Sequence, residues 1–204
     1  MTIFLSSDQH FGHANIIRYS ARPFGSVDEM NEAMVQRWNS VVEDNNQIVY
    51  VIGDFAMGKI NESLGYVNRL NGTKYLIVGN HDKPFLQPGH EDIPKKVKAQ
   101  KQAHQRYLDA GFDELFYGSV NLKHNGRTFH LSHFPYQGNN NPHETYSEIS
   151  PIDNGQPLIH GHVHDAWKVL VGPNGGIQIN VGVDVWDFTP VSMDRIVDLI
   201  DSLT

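Results

Sequence analysis

Short apolar runs alternate with helical patterns through the first half of the chain. Three runs have the continuous apolar character of strands buried on both faces: residues 2–6, 47–52 and 74–78. After the first run, Ser26 and Glu29 form the S-x-x-E sequence of a capping box, which predicts the start of a helix of about four turns. Its apolar residues recur at helical spacing: Met30, Met34, Trp38 and Val41. A second helical pattern over residues 61–70 completes a strand–helix–strand order that predicts a parallel sheet.

The pattern changes in the second half of the chain. Prolines predict a loop over residues 83–97, followed by a helix over residues 98–110 that ends at Gly111. Short β-type runs follow at residues 114–120, 120–124, 127–132, 157–160, 167–171 and 177–183. Asn125-Gly126 predicts a tight hairpin turn, so we expect more antiparallel pairing in this half. Residues 192–203 predict a final helix with these residues inward: Ile196, Leu199, Ile200 and Leu203.

Composition narrows the class of protein and of site. With 204 residues, 39% of them hydrophobic, the chain can bury one core, and we expect a single domain over residues 1–204. No transmembrane run or signal peptide is indicated, so we expect a cytoplasmic protein without a membrane partner. The chain has no cysteine, so any metal must be held by histidine, carboxylate, amide or water. The formal charge of -7 argues against stable binding of duplex nucleic acid.

Polar residues with metal-binding side chains follow five of the predicted strands. They are Asp8 and His10, Asp54, Asn80 and His81, His133, and His162 and His164. A single histidine at a strand end is more often a structural residue with a hydrogen-bond partner. Together, however, the oxygen donors and imidazoles are about what two divalent cations need once water is counted.

These motifs resemble the ordered motif set of the calcineurin-like metallophosphoesterases. The matching residues are Asp8-x-His10, Gly53-Asp54, Gly79-Asn80-His81-Asp82, His133 and Gly161-His162-x-His164. Residues 7–17 and 181–184 also resemble, less specifically, the small stand-alone bacterial and phage members. The resemblance implies a mixed α/β (α+β) fold, in which a two-sheet β sandwich is flanked by helices in a four-layer αββα architecture.

The resemblance also implies two divalent ions. One would be held by Asp8, His10, Asp54 and His164, and the other by Asp54, Asn80, His133 and His162, with Asp54 bridging them. Mn2+ is favoured, and iron, zinc, nickel and magnesium are alternatives that these ligands also suit. A metal-bridging hydroxide would attack phosphorus in line with the leaving oxygen, and His81 would protonate the leaving group. Asp82 would either orient His81 or cap the following turn.

Other residues have weaker claims on the site. His13 and Arg18 follow the first motif and would contact the phosphate or lie solvated at the surface, and Arg22 is a weaker candidate of the same kind. Tyr136 would line a substrate pocket or belong to the core. Strand alternation makes His130 and His160 buried residues, and the remaining histidines are interpreted as surface residues: His90, His104, His124 and His143.

The combined hypothesis is a dinuclear metal-dependent phosphohydrolase. A phosphodiesterase that acts on a small nucleotide or cyclic nucleotide is favoured, because the short loops leave little room for a capping domain and the acidic chain lacks the basic track of a duplex nuclease. The alternatives are a phosphomonoesterase or protein phosphatase, a single-strand nuclease, and a non-catalytic scaffold of the same fold. The sequence leaves the substrate and the oligomeric state open.

Overall fold

The computed structural model of the protein describes residues 2–137 and 146–203. Within these ranges the strands are β1 (Ile3–Ser6), β2 (Ile48–Val51), β3 (Thr73–Ile77), β4 (Glu114–Phe116), β5 (Ser119–His124), β6 (Arg127–Ser132), β7 (Leu158–His160), β8 (Val169–Val171), β9 (Ile177–Asn180) and β10 (Val191–Ser192). The α-helices are α1 (Ile16–Tyr19), α2 (Val27–Val41), α3 (Ile60–Ser63), α4 (Pro94–Asp109) and α5 (Met193–Asp201). None of these helices has both the length and the apolar character needed to cross a bilayer.

The strands form two five-stranded sheets flanked by helices, which confirms the expected mixed α/β two-sheet fold. The first sheet has the order β10-β1-β2-β3-β4, in which β1 to β4 are parallel and β10 is antiparallel to β1. The second sheet has the order β5-β6-β7-β9-β8. Its outer pairs are antiparallel, but β7 is parallel to both of its neighbours, so the second half is more mixed than predicted.

The first sheet is buried on both faces. Phe4 and Leu5 are neighbours on β1, and alternation along the strand sends their side chains into different cores. One core lies under α2 and includes Met30, Met34, Trp38, Val49 and Leu76. The other lies between the sheets and against α5, and includes Leu5, Ile52, Ile77, Leu131, Ile159, Ile179 and Ile196. Burial on both sides explains why β1, β2 and β3 have apolar runs without a clear polar face.

The structure confirms one prediction about the helices and corrects three others. Ser26 caps α2, since its hydroxyl accepts from the backbone N–H of Glu29 at 3.1 Å. Helix α4 begins at Pro94, four residues before the predicted start, because proline at the first helical position costs no hydrogen bond. Residues 61–70 do not form a continuous α-helix, because α3 passes at Leu64 into a 3-10 helix. Leu203 was predicted to face inward but is 50% exposed beyond the end of α5.

Candidate metal centre

The topology brings the polar strand ends to one place. In the first sheet, β1, β2 and β3 run parallel, so the residues that follow them, Asp8, Asp54 and Asn80, lie at the same edge. In the second sheet, β6 and β7 are also parallel and deliver His133 and His162. The two edges meet, because the backbone N–H of His162 donates to Asp8 Oδ2 at 3.0 Å.

The backbone is unusual at most of these positions. Five of the residues predicted to bind metal have a left-handed backbone: Asp8 (φ 58°), His10 (φ 52°), Asp54 (φ 56°), His162 (φ 71°) and His164 (φ 49°). Non-glycine residues adopt this conformation at a cost and cluster in it at functional sites. The left-handed conformation turns the chain sharply after a strand, so that the proposed ligand residues face the candidate metal centre.

Two groups of side chains have ligand atoms within 4.8 Å of one another. The first is Asp8, His10 and His164, and the second is Asp8, Asp54 and His133. Asp54 Oδ2 lies 3.7 Å from His10 Nε2 and 3.4 Å from His133 Nε2, so this oxygen stands between the two groups. Asn80 Oδ1 adds a neutral oxygen, 3.0 Å from His133 Nε2 and 3.1 Å from His162 Nδ1.

The polar atoms of this cluster fit a cation. Both ring nitrogens of His10 are buried and have no hydrogen-bond partner among the described residues. Nδ1 of His133 donates to the backbone oxygen of Ile52 at 2.8 Å, which directs Nε2 toward the oxygens of Asp54 and Asn80. Aspartate, histidine and amide ligands without thiolate suit divalent ions such as Mn2+, Fe2+ and Zn2+. The described residues therefore include an Asp/His cluster compatible with a metal site.

Burial and charge shift the acid–base properties of the cluster. Burial raises the pKa of Asp8. Burial would also raise the pKa of Asp54, but the neighbouring His133 outweighs it and lowers the pKa of Asp54. His133 shows the reverse, since burial opposes its charge but Asp54 raises its pKa to about 9. Burial lowers the pKa of His10 and of His162, to about 3 in His162, so both imidazoles remain neutral and able to donate a lone pair to a metal.

Asp82 and His81 follow Asn80 but have different surroundings. Asp82 is buried and accepts hydrogen bonds from three backbone N–H groups, those of Asp54, Phe55 and Gly79, at 2.9 to 3.0 Å. All three groups precede Asp82 in the chain, so its carboxylate joins the loops after β2 and β3 instead of capping the following turn. The His81 backbone N–H donates to Asp54 Oδ1 at 2.8 Å, and its ring lies 5.5 Å from the His10 ring while the residue is exposed.

Gly79 is required for close packing and not for its backbone angle. A Cβ at Gly79 would clash with the Asp54 carboxylate, although Gly79 itself does not have a positive φ. Gly161 has the same role on the other side of the centre, where a Cβ would meet Ser7 and Asp8. The two glycines let the loops approach closely enough to hold both carboxylates.

Comparison with known proteins places the chain among relatives of nearly the same length. No family model matches the chain. It is 34% identical to the uncharacterized protein MJ1445 of Methanocaldococcus jannaschii, covering 98% of this chain and 91% of the relative. It is 31% identical to the gene 66 protein of Mycobacterium phage L5, with 98% and 94% covered. The chain belongs to the MJ1445 family.

A solved structure extends the comparison to the fold. The protein of unknown function AQ665 from Aquifex aeolicus is 25% identical to this MJ1445-family chain, with a TM-score of 0.67, covering 97% of this chain and 98% of that one. The names of these proteins state no activity, so the chemistry must be argued from the side chains.

A buried ion pair adjoins the candidate metal centre of this MJ1445-family protein, and sequence reasoning missed it. Arg22 donates to both carboxylate oxygens of Asp184 at 2.7 and 2.9 Å and to the backbone oxygen of Asp8 at 2.7 Å. Asp184 Oδ2 also lies 3.2 Å from His164 Nδ1, which orients the ring and directs Nε2 away from the pair. Arg22 and Asp184 are 162 residues apart in sequence, and only the Arg22-Pro23 pair and the weak 181–184 similarity hinted at them.

A cavity of about 630 Å3 opens beside the centre. Its walls include His10, His81, His162 and His164, together with His13. Arg18, for which a phosphate contact and a solvated surface position were the alternatives, is exposed and does not line this cavity.

Tyr136 also lies away from the cavity. It is buried and its hydroxyl donates to the backbone oxygen of Gln156 at 2.8 Å, which favours the core alternative for Tyr136 over a place in a substrate pocket. His160 is buried as predicted, His130 is half-buried, and His143 lies outside the described residues.

Proposed function

We propose that this protein is a dinuclear metal-dependent phosphoester hydrolase, and that its preferred substrate is a phosphodiester of a small nucleotide or cyclic nucleotide. The observation that carries the proposal is the convergence of buried Asp8, Asp54 and His10 with four further ligand-type side chains at one edge of both sheets. The motif resemblance to calcineurin-like metallophosphoesterases supports the same reaction class. A small phosphoester is the proposed partner of the site.

The ligand assignment follows the positions of the oxygens. Asp8, His10, Asp54 and His164 would hold one ion, and Asp54, Asn80, His133 and His162 the other, because Asp54 Oδ2 faces one histidine of each group. When bound, two divalent ions acidify water and neutralise the phosphoryl oxygens of a substrate. The buried Asp8 and Asp54 carboxylates supply the negative charge that determines where those ions would bind.

His81 is the proposed proton donor to the leaving oxygen. Its backbone is fixed by Asp54, whereas its ring is exposed at the wall of the cavity that contains His10 and His162. This position lets the imidazole reach a bound phosphoester without taking part in ligation. Asp82 is a positioning residue in this scheme, because its carboxylate holds the loops on which Asp54 and Asn80 lie.

The test is metal-dependent hydrolysis by chelated protein refilled with single metals. Refilling with Mn2+ is expected to restore hydrolysis of bis(p-nitrophenyl) phosphate, faster than that of p-nitrophenyl phosphate. Asp54→Asn should lower kcat/KM at least about 100-fold. This loss is larger than the one expected when a residue that only hydrogen-bonds to a metal ligand is removed. Asp187→Asn, which changes an 87% exposed carboxylate, is the matched control. Hydrolysis that survives both chelation and Asp54→Asn would overturn the proposal, and a faster monoester would assign a phosphomonoesterase.

A further inference from the structure

Positive charge is concentrated in one segment of this acidic chain. Residues 83–109 contain six Lys or Arg and three Asp or Glu, a formal charge of +3 in a chain with a net charge of -7. Most of these cations lie on the first half of α4, where Lys95 and Lys96 occupy the first turn without any acidic residue. Cations are unfavourable at a helix N-terminus, so this arrangement works against the stability of the helix.

The two grooves beside α4 differ in charge. Lys98 and Lys101 line a groove whose other walls include Glu91 and Asp92, so the cations there face carboxylates. On the other side, Lys83 and Lys96 line a cleft of about 350 Å3 together with His90. Among the described residues that line this cleft, the one carboxylate belongs to Asp82, whose oxygens accept from backbone N–H groups.

The cleft with Lys83 and Lys96 joins the candidate metal centre. Asn80 and His81 form part of its wall, and His81 also lines the cavity that contains His10 and His162. Neither Lys83 nor Lys96 forms an ion pair with a described residue, although other exposed cations such as Lys59 and Arg69 do. Two exposed ammonium groups without carboxylate partners therefore stand next to the proposed proton donor.

We propose that this cleft binds a second phosphate group of the substrate, one that is not hydrolysed. The inference rests on the proposed function and narrows its substrate class to phosphodiesters that carry a further phosphate on one side. Lys83 and Lys96 supply the countercharge, and they are specificity-determining residues that act on binding of that phosphate. A neutral substituent would gain nothing from the cleft.

The experiment compares dinucleotides that differ only in a terminal phosphate. Thymidylyl-thymidine is compared with its 5′-phosphorylated and 3′-phosphorylated forms, using Mn2+-loaded protein and chromatographic detection of products. At least one phosphorylated form should have a KM about tenfold lower than the unphosphorylated dinucleotide, the effect of one added charge-assisted hydrogen bond. The double variant Lys83→Glu/Lys96→Glu should abolish that difference by raising the KM of the phosphorylated dinucleotide to that of the unphosphorylated one.

The matched control is Lys98→Glu/Lys101→Glu, which makes the same change in net charge on the same helix but in the other groove. It should keep the preference for the phosphorylated dinucleotide. Equal KM values for the three dinucleotides, or equal losses in the two double variants, would overturn the inference while the proposed function stands. Failure to hydrolyse bis(p-nitrophenyl) phosphate as well would instead overturn the proposed function together with the inference.

Discussion

Single residues of the centre range from completely buried to exposed. Asp8 and His133 are completely buried, and His10 and Asp54 are almost so. His81 is exposed, although its backbone N–H donates to the buried Asp54 carboxylate. Burial fixes the charges that would hold metal, whereas the exposed His81 ring is open to the cavity and to solvent.

This difference predicts a selective effect of His81→Ala. The variant should lower kcat/KM by about 10²–10⁴ for diesters whose leaving group is a nucleoside hydroxyl, because that oxygen must be protonated as it departs. The loss should be much smaller for a p-nitrophenolate leaving group, which departs as a stable anion. Rates for both substrates check the prediction, with His124→Ala, a change outside the cavity, as the control. Equal losses for the two substrates would contradict it.

At the scale of elements, Asp82 joins the loops after β2 and β3. Its carboxylate accepts from Asp54 and Phe55 on one loop and from Gly79 on the other. The loops could not approach each other closely without an acceptor for these buried N–H groups, because unpaired ones are costly. The relative position of Asp54 and Asn80 therefore depends on the Asp82 side chain, which is not itself one of the proposed metal ligands.

Asp82→Asn should weaken the whole centre without a selective effect on leaving groups. An amide presents one acceptor and one donor to N–H groups that all need acceptors, so the free energy of unfolding should fall by about 1–3 kcal/mol. Affinity for Mn2+ should fall with it. Urea unfolding measures the change in stability, and metal titration measures the change in affinity. The control is Asp113→Asn, which loses one hydrogen bond to the Lys74 N–H and should lower the free energy of unfolding by less. A normal metal affinity in Asp82→Asn would contradict the anchoring role.

Local patterns predicted the elements better than their pairing. The capping box at Ser26 and the Asn125-Gly126 hairpin appear as expected, because each depends on neighbouring residues alone. The start of α4 at Pro94 differs from the predicted start at residue 98, because a proline is compatible both with a loop and with the first position of a helix. The mixed pairing of the second sheet and the Arg22–Asp184 pair depend on contacts between distant segments, which a single sequence does not record.

At the scale of the whole molecule, the candidate centre lies where the edges of the two sheets meet. The first sheet contributes Asp8, His10, Asp54 and Asn80, and the second contributes His133, His162 and His164. Hydrogen bonds connect the two sheets directly here, including those from His162 to Asp8 and from His133 to Ile52. A cation in this place would connect the two layers.

Metal binding is therefore expected to stabilise the fold. With Mn2+ at about 100 times its Kd, linkage adds about 2.7 kcal/mol for each ion bound, and each ion should therefore raise the Tm of a chain of this size by about 5–10 °C. Calorimetry of chelated and refilled protein checks this. Asp54→Asn should lose most of the increase, and the same increase in that variant would show that the ions bind elsewhere.

The pairing of β1 with β10 also has a consequence for synthesis of the chain. Phe4 pairs with Ser192, and Asp8, near the start of the chain, is in contact with His162 and lies beside the Arg22–Asp184 pair. The surroundings of Asp8 are therefore completed by residues that are synthesised more than 150 positions later. We expect any metal to bind only after the chain through Asp184 has been made, and a chain that terminates before Asp184 should gain none of the stability that a cation would give.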